Sequence, residues 1–210
     1  MICGEKFIGV CLGLASALVL VGTASASGGN YVFDGGTAYQ QQQVRDALAA
    51  SSFNWSVIPG TITVHITPTF ASEAVPGAIF LDPNLLNSGE FAWGVVQHEY
   101  AHEVDFALFN DAARDTLTTQ LGATAWCYGN APTLAHGQYG CERFASTLAW
   151  AYWQSPENCM QPSEVADAES AAMQPAAFRA LMTTVLGGSA ALSQTVGRFS
   201  ARRYGPRISR

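Results

Sequence analysis

The stretch that decides the fold is Val95–Phe106, which reads VVQHEYAHEVDF. It contains the pattern HExxH, formed by His98, Glu99 and His102. On a helix, side chains four residues apart lie one above the other on the same face. The two imidazoles can therefore reach one metal ion, and Glu99 can reach a water molecule beside that ion. A zinc ion in a catalytic site takes three protein ligands and keeps its fourth position for water.

The surrounding sequence predicts that this stretch belongs to one long helix, roughly 88–109. Asn87 and Glu90 have the spacing of a capping box, which would begin the helix just upstream. Apolar residues then recur at helical spacing, at Phe91, Val95, Val96, Tyr100, Val104 and Leu108. The competing interpretation is a buried helix whose histidines only form hydrogen bonds. A catalytic zinc site needs a third ligand from elsewhere in the chain.

Other segments indicate a small sheet. Thr61–Thr67 alternates strictly between polar and apolar residues and predicts a strand, in which His65 shares the polar face with threonines. Pro76–Pro83 predicts a second short strand, and its flanking prolines suit an edge strand beside a cleft. Such an edge can pair with an extended peptide. The glycine-rich segment 27–36 predicts a loop.

Several further segments have helical character. Thr37 and Gln40 form a second capping box before a helix from Ala38 to about Ser52. The others are residues 110–121, residues 141–153, a segment that begins at Pro162–Ser163, and a last helix that Pro175 opens and Gly187–Gly188 ends. These segments place much of the C-terminal half in helices.

The N-terminus has the form of a secretory signal peptide, residues 1–26. Lys6 precedes an apolar run, Phe7–Val21, and residues 24–26 match an A-x-A cleavage site. We expect cleavage after Ala26, export, and a single domain over residues 27–197. The run is short for a membrane span, and an uncleaved anchor is the alternative. After cleavage we expect no stable membrane association.

Charge is distributed unevenly along the chain. Residues 27–197 carry four arginines and no lysine against 15 acidic residues, a net charge of −11. Such a surface repels nucleic acid, so nucleic acid is not an expected partner. Five arginines crowd residues 198–210. We predict that this arginine-rich tail is flexible.

Three cysteines remain after signal cleavage, at positions 127, 141 and 159. An oxidising destination favours a disulfide, and three cysteines give one pair and one remaining thiol. We favour Cys127–Cys141, because that bond closes the intervening loop against the next helix with a stabilisation of about 3 kcal/mol. A cysteine-ligated zinc site is the alternative.

Glu142 is the strongest candidate for the third metal ligand. It lies 40 residues after His102 on a helix that is otherwise apolar. A carboxylate there needs a partner, which could be a metal ion or the adjacent Arg143. We interpret Asp105, on the HExxH helix, as a carboxylate that orients a ligand histidine, and the alternative is a helix-face aspartate bonded to a structural partner. Rival ligands are His136, Glu157, Glu164, Asp167 and Glu169.

The HExxH pattern and the later Glu142-Arg143-Phe144-Ala145 together resemble zincin metallopeptidases of the gluzincin type, whose third ligand is a glutamate on a second helix. With Asp105 after the second histidine, the pattern is similar to lethal-factor-like peptidase domains over roughly residues 60–153. The resemblance implies an α+β fold: a small mixed sheet with an edge strand over a cleft, backed by the HExxH helix and the Glu142 helix, with a helical C-terminal part.

The resemblance also implies roles for individual residues. One zinc ion per chain would be held by His98, His102 and Glu142. Glu99 would act as the general base and then give its proton to the leaving amine. A tyrosine or histidine would stabilise the oxyanion. The candidates for that donor are Tyr139, which we rank first, His136 and Tyr128.

We therefore expect a secreted, monomeric zinc-dependent peptidase that hydrolyses a peptide or protein substrate. The alternative is a secreted zinc-fold protein that binds a partner or peptide without cleaving it. The intact Glu99 argues against this alternative, since a catalytically dead copy commonly loses the base. A third hypothesis is a structural or interaction protein without metal that uses its aromatic-rich C-terminal half.

Overall fold

A computed structural model describes residues 29–69, 71–127, 133–162 and 169–193 of the 210-residue chain. Within these ranges the fold is of the α+β class, as predicted, with a four-stranded mixed sheet and six α-helices. No helix of the described part is long and apolar enough to cross a bilayer. The predicted signal peptide, the arginine-rich tail and most of the helix predicted from Pro162 lie outside the described residues.

The sheet contains β1 (Tyr31–Gly35), β2 (Ile62–Ile66), β3 (Glu73–Val75) and β4 (Ala78–Leu81). The strand order is β1-β2-β4-β3. The first three strands in this order run parallel to one another, and β3 is antiparallel to β4. The strand predicted over Thr61–Thr67 is confirmed as β2, which buries its three aliphatic side chains on one face.

The edge strand differs from the prediction. The strand predicted between Pro76 and Pro83 is β4, which lies inside the sheet. Pro76 and Gly77 form a turn, with Gly77 at φ 85°, and this turn folds the preceding residues back onto β4 as β3. Because β3 has only three residues, no alternating pattern marks it in the sequence. Among the strands that the structure describes, the two at the edges of the sheet are therefore β1 and β3, and β4 is not one of them.

The glycine-rich segment predicted as a loop contains β1, which pairs in parallel with β2 over five residues. Tyr31 and Phe33 of this strand pack against the core. Pairing with β2 and the burial of these rings outweigh the low strand propensity of the glycines nearby. Gly35 and Gly36, at φ 81° and 73°, then turn the chain into α1 (Ala38–Ala50).

The capping box at α1 is confirmed. Thr37 Oγ1 accepts from the Gln40 N–H at 3.3 Å, and Gln40 Oε1 accepts from the Thr37 N–H at 2.8 Å. The remaining helices are α2 (Pro83–Leu86), α3 (Phe91–Leu108), α4 (Asp111–Gln120), α5 (Gly140–Tyr152) and α6 (Pro175–Ser193).

The HExxH helix, α3, begins at Phe91 instead of 88 because its predicted cap serves another part of the fold. Asn87 ends α2, and its side-chain oxygen accepts a hydrogen bond from Gln40 Nε2 at 3.1 Å. Glu90, which precedes α3, makes no capping hydrogen bond with its side chain. The capping box predicted at Asn87 and Glu90 is therefore wrong, although the helix itself is confirmed.

The interior is organised around α3, which packs against both α1 and α5. Its residues are buried from Val96 to Asp105. Gln97 Nε2 donates to the Ala47 carbonyl of α1 at 2.7 Å, and the Tyr100 ring packs edge-on against Trp55. Burying so many polar side chains requires partners for them, and His98 and His102 find theirs on α5.

The last helix, α6, runs to Ser193 and does not end at Gly187–Gly188 as predicted. A glycine inside a helix costs about 1 kcal/mol relative to alanine, which is why the pair resembles a stop. Tertiary packing offsets that cost in the first half of α6. Phe178 and Met182 are buried there, and the Phe178 ring lies 6.0 Å from that of Phe144 on α5.

Candidate metal centre

Three side chains converge at one point, two from α3 and one from α5. The Nε2 atoms of His98 and His102 lie 3.1 Å apart. Glu142 Oε2 lies 3.2 Å from the first of these atoms and 3.5 Å from the second. A tetrahedral ion with ligand bonds of about 2.0–2.1 Å separates its ligand atoms by about 3.3–3.4 Å. The group can therefore hold a metal ion with little rearrangement.

The secondary structure explains this convergence. The spacing of four residues puts both histidines on one face of α3, and Glu142 lies in the first turn of α5, which packs against that face. His98, His102 and Glu142 are only 7 %, 7 % and 4 % exposed. A buried carboxylate is costly unless it has a partner, so the packing of α5 on α3 depends on what these groups share.

The electrostatics of the group favour added positive charge. Burial opposes ionisation of Glu142, but hydrogen bonds from His102 and His98 outweigh it and hold the pKa of this carboxyl well below its usual range. Burial favours the neutral His98 ring, yet Glu142 and Glu99 raise the pKa of that ring above its usual value. Protons or a metal ion can supply the charge, and the two compete for the same nitrogen atoms.

A chain of hydrogen bonds holds the Nδ1 side of the His98 ring, opposite the Nε2 atom that faces the other candidate ligands. Ser146 Oγ lies 3.0 Å from His98 Nδ1 and donates to Glu169 Oε2 at 2.9 Å. Because the hydroxyl proton goes to Glu169, Ser146 accepts from the Nδ1–H of His98. That tautomer leaves the Nε2 lone pair directed at the other two ligands.

Glu169 also contacts His136, so its carboxylate is linked to two histidines, to His136 directly and to His98 through Ser146. Its Oε1 lies 2.7 Å from His136 Nδ1, and His136 Nε2 lies 3.2 Å from Glu142 Oε2. The hydrogen bond to Glu169 outweighs partial burial and raises the pKa of His136. Glu169 therefore supports the centre from outside, whereas the sequence offered it only as a rival ligand.

Of these two supporting residues, Ser146 could have been predicted from the sequence and Glu169 could not. Ser146 follows Glu142 by four residues, so helical spacing could have placed it on the same face of α5. Glu169 lies in irregular chain, where no periodicity predicts its neighbours. Of the remaining rival ligands, Glu157 is exposed, and Glu164 and Asp167 lie outside the described residues.

The three metal-ligand candidates open onto a cleft of about 560 Å³. The edge strand β3 and the residue before it form one rim. The residues that line the cleft are Ser72, Glu73, Ala74, His98, Glu99, His102, Phe106, Cys127, His136 and Glu142. The cleft therefore brings a strand edge, a candidate metal centre and several ionisable groups together.

Glu99 lies in the cleft wall beside the two histidines and is 6 % exposed. Its carboxylate makes no hydrogen bond with another residue of the described ranges. Burial raises the pKa of Glu99, and the nearby His98 and His102 only partly offset the rise. A carboxylate whose pKa is raised is a stronger base than an ordinary glutamate.

The residues predicted to stabilise an oxyanion occupy different places. His136 lines the cleft. Tyr139 is 1 % exposed at the start of α5, where its backbone pairs with Ala125. It is not among the cleft-lining residues in the described part of the chain. Tyr128 lies outside the described residues.

Asp105 does not orient a ligand histidine, contrary to the prediction. Its carboxylate accepts hydrogen bonds from Arg114 Nε at 2.8 Å and from Trp126 Nε1 at 2.9 Å. These partners tie the end of α3 to α4 and to the segment after it. Asp105 is therefore a structural carboxylate, and the orienting role belongs to Ser146.

His65 and Arg143, which the sequence analysis also considered, have structural partners. His65 pairs with Asp34 at 2.8 Å and stacks on Phe80 in the sheet, and it is not among the described residues that line the cleft. Arg143, the alternative partner for Glu142, donates to the carbonyls of Gly137, Leu121 and Gly122. Its guanidinium is thus committed to the backbone.

The predicted disulfide is confirmed, with Cys127 and Cys141 joined and Cys159 left as a free thiol. The bond fastens the segment after α4 to the first turn of α5, beside Glu142. While both sulfurs are bonded to each other, they cannot ligate a metal ion. The alternative of a cysteine-ligated zinc site therefore does not apply to the oxidised protein.

Comparisons with protein-family models, with curated proteins and with solved structures find no match to this chain. A function for the chain therefore rests on the chemistry of the site itself.

Proposed function

We propose that this chain is a secreted, zinc-dependent peptidase of the zincin type, similar to the gluzincins. The observation that carries the proposal is a buried Glu99 in the same cleft wall as the convergent His98, His102 and Glu142. A metal site alone would suit many roles. A carboxylate that has no hydrogen-bond partner among the described residues, and that lies beside the open side of such a site, suits hydrolysis.

Zinc is the proposed metal ion. Two histidines and one carboxylate are a common ligand set of catalytic zinc, although the same set also suits iron(II). The adjacent Glu99 favours zinc, because hydrolysis needs a base and oxygen chemistry does not. When bound, zinc polarises the scissile carbonyl and acidifies a water molecule.

Glu99 would take the proton of the attacking water and deliver it to the leaving nitrogen. The burial that raises its pKa brings it closer to the pH at which such a base works best. Without Glu99, the site would still bind its ion and would lose the proton transfer.

His136 has the stronger support as the group that stabilises the oxyanion, because it lines the cleft and its Nδ1 is held by Glu169. Its Nε2–H would donate to the carbonyl oxygen as negative charge develops there. Tyr139, which the sequence ranked first, has less support because its ring is buried.

The proposed substrate is an extended polypeptide. Within the described residues, β3 pairs with β4 on one side and has no strand partner on the other. Glu73 and Ala74 of this strand line the cleft. A peptide can add to such an edge through backbone hydrogen bonds, which would carry its scissile bond past the candidate metal centre.

Export is proposed from the signal-like residues 1–26, and the Cys127–Cys141 disulfide supports it. Disulfides persist in oxidising compartments and are rare in the cytosol.

The test combines metal analysis with hydrolysis by the purified protein. Elemental analysis after dialysis should find about one zinc per chain, and none in His98→Ala. Hydrolysis of a mixed peptide library, followed by mass spectrometry, should be lost in Glu99→Gln while its zinc is kept. Glu157→Gln is the matched control, because Glu157 is exposed and lies outside the cleft wall.

Two outcomes would change the proposal. Zinc that is bound without any hydrolysis would favour a zinc-fold protein that only binds its partner. A folded protein that takes up no zinc, even after zinc is added, would exclude the enzyme and reduce HExxH to a helical coincidence.

A further inference from the structure

The Cys127–Cys141 disulfide lies directly against the candidate metal centre. Cys127 lines the cleft, and Cys141 immediately precedes Glu142 in α5. The two oxygens of Glu142 face different neighbours. Oε2 contacts the imidazoles of His98 and His102, whereas Oε1 lies 3.8 Å from Cys141 Sγ.

The sulfurs and the carboxylate form a second compact group of potential ligand atoms. Cys127 Sγ, Cys141 Sγ and a Glu142 oxygen all lie within 4.8 Å of one another. Two thiolates and a carboxylate suit zinc and other thiophilic divalent ions. The disulfide blocks this group only by bonding the two sulfurs to each other.

The backbone holds the two cysteines together independently of the sulfur–sulfur bond. The Gly140 N–H donates to the Ala125 carbonyl at 2.7 Å, and the Cys141 N–H donates to the Trp126 carbonyl at 2.8 Å. These hydrogen bonds join Gly140 and Cys141 itself to the two residues that precede Cys127, and they do not depend on the oxidation state of sulfur. Reduction would therefore leave two thiols already adjacent to Glu142.

We propose that reduction of this disulfide creates a second metal site, formed by Cys127, Cys141 and Glu142. A dithiol reductant gives two electrons and two protons to the sulfur pair, which becomes two thiols, while the dithiol becomes a cyclic disulfide. The thiols then release their protons to solvent as a thiophilic divalent ion binds. The second site shares Glu142 with the histidine site.

This sharing makes the two sites rivals. An ion held by the thiolates and Oε1 would compete with the histidine site for the single negative charge of the Glu142 carboxylate. A consequence, which rests on the proposed peptidase function, is that the protein would be inactive in a reducing compartment. Disulfide formation after export would then release Glu142 to the histidines.

Cobalt(II) titration of the full chain tests the second site without relying on hydrolysis. The protein is reduced with dithiothreitol, the reductant is removed by anaerobic gel filtration, and cobalt chloride is added. Reduced protein should show a thiolate-to-cobalt charge-transfer band in the near ultraviolet, and oxidised protein should lack it. Replacing both Cys127 and Cys141 by serine should abolish the band.

Two further variants show which residues bind the cobalt ion that gives the band. Cys159→Ser should keep it, because Cys159 is not part of the proposed site. His98→Ala should keep it too, although this variant removes the histidine site. A failure of the peptidase proposal, seen as zinc without hydrolysis, is therefore distinguishable from a failure of the second site.

Three results would overturn the inference. One is no band in reduced protein whose two new thiols are confirmed by thiol titration. Another is a band that survives the double serine variant and disappears in Cys159→Ser. The third is loss of the folded circular dichroism spectrum on reduction, since the site requires the backbone to hold both cysteines.

Discussion

Asp105 near the end of α3 and Glu142 at the start of α5 are buried carboxylates with different kinds of partner. Asp105 is 2 % exposed and contacts the permanently charged Arg114 and the indole of Trp126. Glu142 is 4 % exposed and contacts imidazoles, which are charged only when they hold a proton. The first cluster carries a fixed cation, whereas the second accepts an exchangeable one.

The comparison shows that burial of a carboxylate does not by itself mark a functional site. Structural ion pairs bury carboxylates as well. Asp105 and Glu142 differ in whether the positive charge that balances each carboxylate can be exchanged for another. Arg114 cannot lose its proton at any pH that proteins tolerate, so the positive charge that balances Asp105 is permanent. The imidazoles around Glu142 can give up their protons to let a metal ion enter.

The largest expected effect is stabilisation by zinc, which depends on Glu142 and not on Asp105. Free zinc at about 1,000 times its dissociation constant should raise the free energy of unfolding by about 4 kcal/mol. Urea unfolding with zinc and with a chelator measures the increment. Asp105→Asn should keep it, and Glu142→Gln should lose it. Equal increments in the two variants would remove the distinction drawn between them.

Next in size is the intrinsic cost of Asp105→Asn. The change weakens the charge-assisted bond from Arg114 and leaves a buried donor poorly matched, so we expect a loss of about 2–3 kcal/mol. The loss should be the same with zinc and with a chelator. Asp115→Asn, at an exposed position of α4, is the control and should stay within about 0.5 kcal/mol of the wild type. A zinc-dependent loss would place Asp105 in the metal centre after all.

Glu103 adds a third buried carboxylate, which is neutralised by protonation. It is 2 % exposed and accepts from the Gly77 N–H at 2.9 Å, and its other oxygen has no hydrogen-bond partner among the residues that the structure describes. Burial raises the pKa of Glu103 from 4.5 to about 7. The folded state therefore keeps this proton longer than the unfolded state does. The stability of the metal-free protein should fall as pH rises from about 4.5 to about 7.

Glu103→Gln should remove that pH dependence. Between pH 5 and pH 8, the chelator-treated wild type should lose about 2.5 kcal/mol more than the variant. Urea unfolding at both pH values measures the difference, and Glu157→Gln should retain the wild-type slope. If Glu103→Gln and wild type change in parallel, Glu103 is ionised in the folded protein throughout this range.

The smallest expected effect concerns Ser146, which supports His98 from behind. Ser146→Ala removes the acceptor that fixes the His98 tautomer, and zinc affinity should fall about tenfold. Competition with a chromophoric chelator measures the affinity. Ser88→Ala, on an exposed turn, should leave it unchanged. An unaltered affinity in Ser146→Ala would mean that α3 alone orients the ring.

The sequence was most informative where local periodicity fixes the geometry. A spacing of four residues places His98 and His102 on one face of a helix wherever that helix packs. Glu142 was identifiable because a carboxylate in an apolar helix requires a partner. Asp105 shows the limit of this reasoning. Its partner Trp126 comes from a segment that only tertiary packing brings near.

The pairing of the strands was harder to predict from the sequence, because it too depends on tertiary packing. β3 has three residues and β1 lies within a glycine-rich segment, so neither carries a periodic signal of its own. Both become strands because β4 and β2 offer them backbone partners. Glu169 likewise gains its role from α5 and His136, which lie elsewhere in the sequence.

The division of the ligands between two helices has a consequence for the order of folding. His98 and His102 are in place as soon as α3 forms, whereas Glu142, 40 residues later, arrives only when α5 docks. A complete ligand set therefore cannot precede the long-range contact between these helices. The ion would be captured late and would not nucleate the chain. The rate of zinc uptake during refolding should thus report the rate at which α5 docks on α3.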